Sequence, residues 1–312
     1  ISGIILAGLS LAGLAIFSVQ FATTKLSFIP AGIYQRFELL ASDTIHPNVM
    51  AGNILIIIPI GIALLLFGWR QLKNGQALLL LFATLISTVM LILTQSRGAI
   101  IAFGCALLTI VILRWRWAWV AIPLLLTSIG LLAHQVGLYT MLDFLSSGIS
   151  VEGAEGRVEI WSRAILMIRD FSFTGVGIGS YMDVADLLYP FFLASPGKIE
   201  HAHNLFLQVA VDLGIPGLIA WFSIYLGVCF SAWQLYKFGK NHQDGWAIGL
   251  GIGFLSSNLA LIIHGFFDAV TWGMIRPAPL VWGIWGTAIA AWQLLVVPLR
   301  YQQPSTPIID QP

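Results

Sequence analysis

Runs of about twenty apolar residues recur along this chain, the length a helix needs to cross the hydrocarbon of a bilayer. Eight are counted, at 1–20, 48–68, 77–95, 98–113, 118–135, 203–232, 246–269 and 279–298. With 58% hydrophobic and only 9% charged residues over 312 positions, a soluble domain could not hide that surface. The expected fold is an all-α integral membrane protein of about eight transmembrane helices, with one large extracytoplasmic loop containing short amphipathic helices. Residues 1–135 would supply helices one to five, 136–202 the loop, 203–300 helices six to eight, and 301–312 a disordered cytoplasmic tail. The first run lacks a basic leader, so it reads as a span and not a signal peptide. A net charge of +1 leaves no basic field for nucleic acid. Cys105 and Cys229 both lie in apolar runs and read as buried thiols, not a disulfide framework.

Tryptophans mark span ends: Trp69, Trp115, Trp117, Trp119, Trp233, Trp246 and Trp272 fall at boundaries, as aromatic belts do. Short basic loops mark the cytoplasm. Threading the spans alternately puts Arg70/Lys73, Arg114/Arg116, Lys237/Lys240 and Arg300 on one side. The other, extracytoplasmic side then holds the loop 21–47, the hairpin Thr94–Gly98, the segment 136–202 and the turn 271–278.

That second side gathers every chemically suggestive residue. Arg97, in Thr94-Gln-Ser-Arg-Gly98, is either an interfacial, snorkelling arginine or one facing a cavity or partner. Gly156-Arg-Val-Glu-Ile-Trp161 opens a stretch in which Ile160, Ala164, Met167 and Ile168 recur at helical spacing. It predicts an amphipathic helix with Gly156 as N-cap, Arg157 near its start, and Arg163 and Arg169 on a solvated face. Thr174-Gly-Val-Gly-Ile-Gly-Ser180 has the glycines of a phosphate-cradling loop but neither the preceding strand nor the Rossmann spacing, so a turn between two short helices is the plainer reading. His201-Ala-His-Asn204 precedes a long apolar run. Two histidines at i, i+2 do not share a helix face, so they should do different work, and a histidine there can be a neutral base near pH 7. A metal site built on His-x-His needs more ligands, and no acid or cysteine stands at a convincing spacing, so neither metal nor cofactor is expected. Ile45-His-Pro-Asn-Val49, with His46, opens a helix on the same side. His264 and Asp268 are four apart and should share one face of the seventh span, and an intramembrane pair of this kind points to function.

Taken together, His46-Pro-Asn48, Thr94-Gln-Ser-Arg-Gly-Ala99, Gly156-Arg157 with Ile160-Trp161, Thr174-Gly-Val-Gly177, and His203-Asn-Leu-Phe-Leu-Gln208 with Leu213-Gly-Ile-Pro-Gly217 resemble the O-antigen ligase and polymerase superfamily over about residues 45–270. The same resemblance extends to relatives regarded as bicarbonate-type inorganic-carbon transporters. It implies a helical bundle in the bacterial inner membrane with its active face extracytoplasmic. It further implies a metal-independent, inverting glycosyltransferase acting on an undecaprenyl-diphosphate-linked glycan, with a glycan or a lipid A-core-type acceptor and membrane lipid as the other partners. By motif match Arg97 and Arg157 would hold the diphosphate and His203 would be the base, with His201, Asn204, His264, Asp268 and His46 in support. Family members commonly have ten or more spans against the eight counted. With Ile1 in place of a starting methionine, that implies further helices before this sequence, including part of the donor-lipid groove.

The chemistry suits these residue types. Breaking a sugar–diphosphate bond puts negative charge on the leaving oxygens, and without a metal, guanidinium groups that bind phosphate bidentately are the natural replacement. Fixed charges there are worth roughly 3–4 kcal/mol per donor, and a base for the acceptor hydroxyl ~100–10,000-fold. Amphipathic segments around 138–195 would close over the site as a lid. The rival class is a transporter, which should show broken helices and charges near the midplane; Gly249, Gly251 and Gly253 in the seventh span fit that reading.

Overall fold

The computed structural model describes residues 2–19, 45–137, 140, 153–193, 195, 197, 199–273 and 278–297. Most of the loop 21–47, part of the segment 136–202, and Arg300 with the tail 301–312 lie outside them. The regular structure of the described residues is helical, with an isolated Val19–Ile45 bridge as the one β pairing among them. The helices are α1 (Ser2–Ser18), α2 (Pro47–Leu55), α3 (Ile58–Phe67), α4 (Asn74–Leu93), α5 (Arg97–Arg114), α6 (Ala121–Val136), α7 (Gly153–Asp170), α8 (Tyr181–Leu188), α9 (Leu205–His242), α10 (Gly245–Gly265) and α11 (Ala278–Leu295).

All eight apolar runs become helix, but six stretches are long and apolar enough to cross a membrane: Pro47–Phe67, Asn74–Leu93, Arg97–Arg114, Trp117–Val136, Leu205–His242 and Gly245–Gly265. The other two, Ser2–Ser18 and Pro279–Leu295, are shorter apolar helices. A 17-residue helix rises about 26 Å, just under a hydrocarbon core of ~30 Å.

Several boundaries move from their expected places for physical reasons. The run 203–232 continues as helix to His242, because Ala232, Leu235 and Gly239 go on burying one face while Lys237 and Lys240 stay exposed. This 38-residue helix, about 57 Å long, is broken near its start, where Gly214 takes φ 70° and Pro216 follows. α10 stops at Gly265, so Asp268 lies in the turn after it and not on a helix face with His264. α7 starts at Gly153, so Gly156 falls inside the helix and is not its N-cap. Trp272 is buried, not a belt residue, whereas Trp69, Trp115, Trp117 and Trp119 are exposed at span ends as expected; Trp233 is exposed but lies within α9, nine residues before its end. Neither cysteine is in a disulfide and both are half-buried.

α10 is the hub of the bundle. A Cβ on Gly253 would stand 2.9 Å from Ile60 Cα and one on Gly249 3.1 Å from Ala63 O, while one on Gly251 would collide with the Tyr236 backbone. The glycines thus let α3 and α9 approach α10 on opposite faces. They sit in unbroken helix, so they do not make the interrupted span a transporter would use. A separate small core forms around α7, α8 and the start of α9, from Ile160, Ala164, Met167, Tyr181, Ala185 and Val211. Here the helical spacing read at Ile160, Ala164 and Met167 becomes a buried face.

The chemical residues collect at one end. At the opposite end, Gln71 Nε2 donates to Asp244 Oδ1 at 2.8 Å, tying the loop that carries Arg70 and Lys73 to the α9–α10 turn.

Candidate active site

Three chain segments meet at the turn Phe266–Asp268: the N-terminus of α2, the N-terminus of α9, and α7. Both N-termini are set by side-chain caps. His46 Nδ1 accepts the Asn48 N–H at 3.2 Å, with Pro47 in the first turn of α2. Asn204 Oδ1 accepts the Phe206 and Leu207 N–H groups at 3.0 and 3.1 Å, and its Nδ2 donates to Phe266 O at 3.4 Å. His203, just before that cap, takes φ 47°, a left-handed conformation that costs a non-glycine residue about 1–3 kcal/mol.

A buried polar chain offsets that strain. Gln208 Oε1 accepts the Ala202 N–H at 2.7 Å, between the two histidines, while its Nε2 donates to Asp212 Oδ1 at 2.9 Å. Asp212 Oδ2 accepts from Trp272 Nε1 at 2.9 Å. Ala202, Gln208, Asp212 and Trp272 therefore lock the histidine loop to the turn after α10.

Asp268 is the centre. It is 3% exposed. Its Oδ2 accepts from Asn48 Nδ2 at 3.1 Å and its Oδ1 from the Ala269 N–H at 2.9 Å. His203 Nδ1 lies 3.4 Å from Oδ1 and His201 Nδ1 3.8 Å from the same atom, with the two rings 4.1 Å apart. His203 and Asp268 face each other without an aligned hydrogen bond, since the buried Nδ1 of His203 has no hydrogen-bond partner among the described residues. Burial works against ionising Asp268, yet contact with His203, then the charges of His201 and His264, outweigh it and hold the carboxyl below the usual range. His201 goes the other way. Burial first, then His203, pushes it down to about 4, and its Nδ1 already accepts the His203 N–H at 3.2 Å.

Arg157 reaches the same turn from α7. Its Nη1 donates to Phe267 O at 2.8 Å. The residue is 8% exposed, and its Nε is buried with no hydrogen-bond partner among the described residues. Burial lowers its pKa and Asp268 opposes that, but a guanidinium remains charged. Arg97 opens α5, half-buried, and α5 abuts the same residue: a Cβ on Gly98 would lie 2.8 Å from Phe267 Cβ.

His264 is buried on α10 beside Gly52, with a Cβ there 3.3 Å from its ring. Its carbonyl accepts the Phe267 and Asp268 N–H groups at 2.9 and 3.0 Å. The expected pairing along one helix face gives way to this turn, which swings the Asp268 carboxylate to His201, His203 and Asn48. Arg163 sits 3.6 Å from Glu159 and over the Phe192 ring, and Arg169 makes an exposed pair with Asp170, so both serve α7's own surroundings.

The glycine loop serves packing. Val176 and Gly177 donate to the carbonyls of Val211 and Asp212 at 2.8 and 3.0 Å, and Ile215 donates to Ser172 O at 2.7 Å. The break at Gly214 frees those carbonyls, and the loop N–H groups satisfy them. A Cβ on Gly175 would collide with the Asp212 backbone, and one on Gly214 would meet Phe173 O at 2.6 Å. These donors are not available to a phosphate.

An apolar cavity of about 890 Å³ runs between α5 and α6, walled by Ile101, Cys105 and Leu108 on one side and Leu125, Ile129 and Leu132 on the other. Phe267 also lines it. That one residue lines the cavity, holds Arg157 with its carbonyl, and precedes the carboxylate that faces both histidines.

The sequence profile of a family described as O-antigen ligase matches residues 82–222. Over that stretch the chain is similar to the O-antigen ligase family. The matched stretch includes Arg97, Arg157, His201, His203, Asn204 and Gln208, whereas Asn48, His264 and Asp268 fall outside it. A search of curated proteins found no match. Asn48, Gln208, Asp212 and Trp272 are site residues that sequence reasoning did not single out for the superfamily's chemistry. Asn48 and Gln208 stood in the motifs that carry the resemblance without a role of their own, and Asp212 carried a signal as an acid inside an apolar run.

Proposed function

We propose that this protein is an O-antigen ligase-like glycosyltransferase of the bacterial inner membrane, moving a glycan from an undecaprenyl-diphosphate donor to an acceptor hydroxyl on the extracytoplasmic face without a metal. The observation that carries the reading is the Phe267–Asp268 turn, where a lipid-sized apolar cavity, a buried arginine and a histidine–carboxylate cluster adjoin. The polyprenyl tail lies in the cavity between α5 and α6. Arg157, anchored through Nη1 and with Nε unbonded among the described residues, binds the diphosphate, and Arg97 does so from the start of α5.

The acceptor oxygen attacks the anomeric carbon and the carbon–phosphate oxygen bond breaks. Undecaprenyl diphosphate leaves against the arginines, and the hydroxyl proton passes to His203. Asp268 faces His203 Nδ1, which orients the ring and leaves Nε2 for the substrate. His201 is the poorer base, because burial lowers its basicity and its Nδ1 lone pair already takes the His203 N–H. Asn204 and His46 act as caps that place the starts of α9 and α2.

Transfer by purified protein, with each acceptor class offered in turn, tests the reading. Product on a lipid A-core-type acceptor identifies a ligase, and product on a growing glycan a polymerase. Loss of product in His203→Ala but only partial loss in His201→Ala supports the base; equal loss removes it. The bicarbonate-type transporter reading draws on the broken α9 and its buried Asp212, but that break is filled by the glycine loop, and Asp212 is bonded to Trp272 and Gln208. Solute flux in liposomes without glycan transfer would restore it.

A further inference from the structure

We propose that His201, His203 and Asp268 form a three-ligand site for a divalent transition metal of the zinc class, whose occupancy silences the site by taking His203. The silencing rests on the glycosyltransferase reading above; the binding does not.

The geometry is specific. One oxygen, Asp268 Oδ1, faces the Nδ1 atoms of both histidines, at 3.4 and 3.8 Å. That oxygen already accepts the Ala269 N–H, and His201 Nδ1, which accepts the His203 backbone N–H, turns a lone pair toward it. A cation placed among the three relieves that facing of lone pairs. Ligand atoms of all three residues lie within 4.8 Å of one another. Zinc at about 2.0–2.1 Å from tetrahedral ligands separates them by roughly 3.3–3.4 Å. The His203–Asp268 pair already has that spacing, and His201 must move closer to both partners.

His203 Nδ1 is the independent sign. It is buried, faces the carboxylate and has no hydrogen-bond partner among the described residues. Asn48 Nδ2 on Asp268 Oδ2 is the kind of outer contact that orients a ligating carboxylate. Imidazole nitrogens with one carboxylate favour zinc, cobalt or nickel over magnesium or calcium, and three protein ligands leave a fourth position for water.

Two features limit the affinity. The His203 N–H on His201 Nδ1, at 3.2 Å, must yield, and the Arg157 cation acts on the same carboxylate.

The test uses the full chain, purified in detergent on a tag without histidine and stripped with EDTA. Zn²⁺ is titrated by calorimetry, and Co²⁺ is read by visible absorption. The expected result is one Zn²⁺ per chain and a tetrahedral Co²⁺ spectrum in the wild type, a readout that needs no variant. His201→Ala and Asp268→Asn should each weaken Zn²⁺ at least ~10-fold, while His134→Ala and His242→Gln leave it unchanged. Added Zn²⁺ should stop transfer, and EDTA should restore it. No binding tighter than ~100 µM, or binding indifferent to His201→Ala and Asp268→Asn, overturns the site and leaves the metal-independent base standing. Binding at the three residues together with faster transfer upholds the site and removes His203 as base.

Discussion

α10 and α6 are built from similar apolar sequence and end in opposite situations. α10 packs on both sides, with most of its length buried. α6 has no buried residue and stands off α5 far enough to leave a cavity. Hydrophobicity does not separate them, because lipid accepts either surface. Small residues do. α10 carries glycines where neighbouring backbones approach, whereas α6 presents Leu124, Leu126 and Leu131 to the outside. The comparison separates two jobs: the crowded helix fixes the Phe267–Asp268 turn, and the uncrowded one leaves an apolar cavity beside it.

The largest expected effect lies at the turn itself. Arg157→Ala should lower turnover ~100–1,000-fold, with the protein still inserted and eluting as wild type, and Arg157→Lys should not rescue it if binding is bidentate. Unimpaired turnover in Arg157→Ala would detach the arginine from the chemistry.

The polar chain that holds the histidine loop comes next. Gln208→Glu sets two carboxylates against each other and should cost ~10–100-fold in turnover. Adding Asp212→Asn exchanges donor and acceptor and restores the bond between the two side chains, so the double variant should recover most of the loss. A double variant no better than Gln208→Glu would show that the chain does not set the loop.

The helices themselves can be compared directly. Gly253→Leu forces a side chain into Ile60 and should cost ~1–3 kcal/mol in stability, read as a lower melting temperature. Gly130→Leu on α6, where nothing lies within 4 Å, should change little. Equal losses would break the contrast.

The smallest effect probes the cavity. Gly104 lines it, with nothing within 4 Å, so Gly104→Phe should fill it without unfolding and raise KM for a polyprenyl donor roughly fivefold, about 1 kcal/mol. Leu126→Trp, on the outward face, is the control. A KM unchanged in both would place the tail elsewhere.

Much of this architecture was legible in the sequence where the signal is local. Apolar runs marked the helices, the spacing of Ile160, Ala164 and Met167 marked α7's buried face, and His46-Pro and Asn204 marked two helix starts, each because a short-range preference decides it. The site was legible in its members but not its wiring. Asp268 is near His264 in sequence, which suggested a helical pair; the helix ends between them, and the carboxylate turns to histidines more than sixty positions away. The glycine loop was equally opaque. Its partner is a break in α9 that exists because Gly214 adopts φ 70°, which residue spacing does not announce. Whether an apolar helix is central or peripheral was hidden too, since hydropathy is similar in both.

The most direct test of the central claim is glycan transfer by purified protein in detergent, from an undecaprenyl-diphosphate oligosaccharide in excess EDTA, with wild type beside His203→Ala. The account predicts product from the wild type and none above background from the folded variant. Full activity in His203→Ala, or a wild type that EDTA silences, would contradict it.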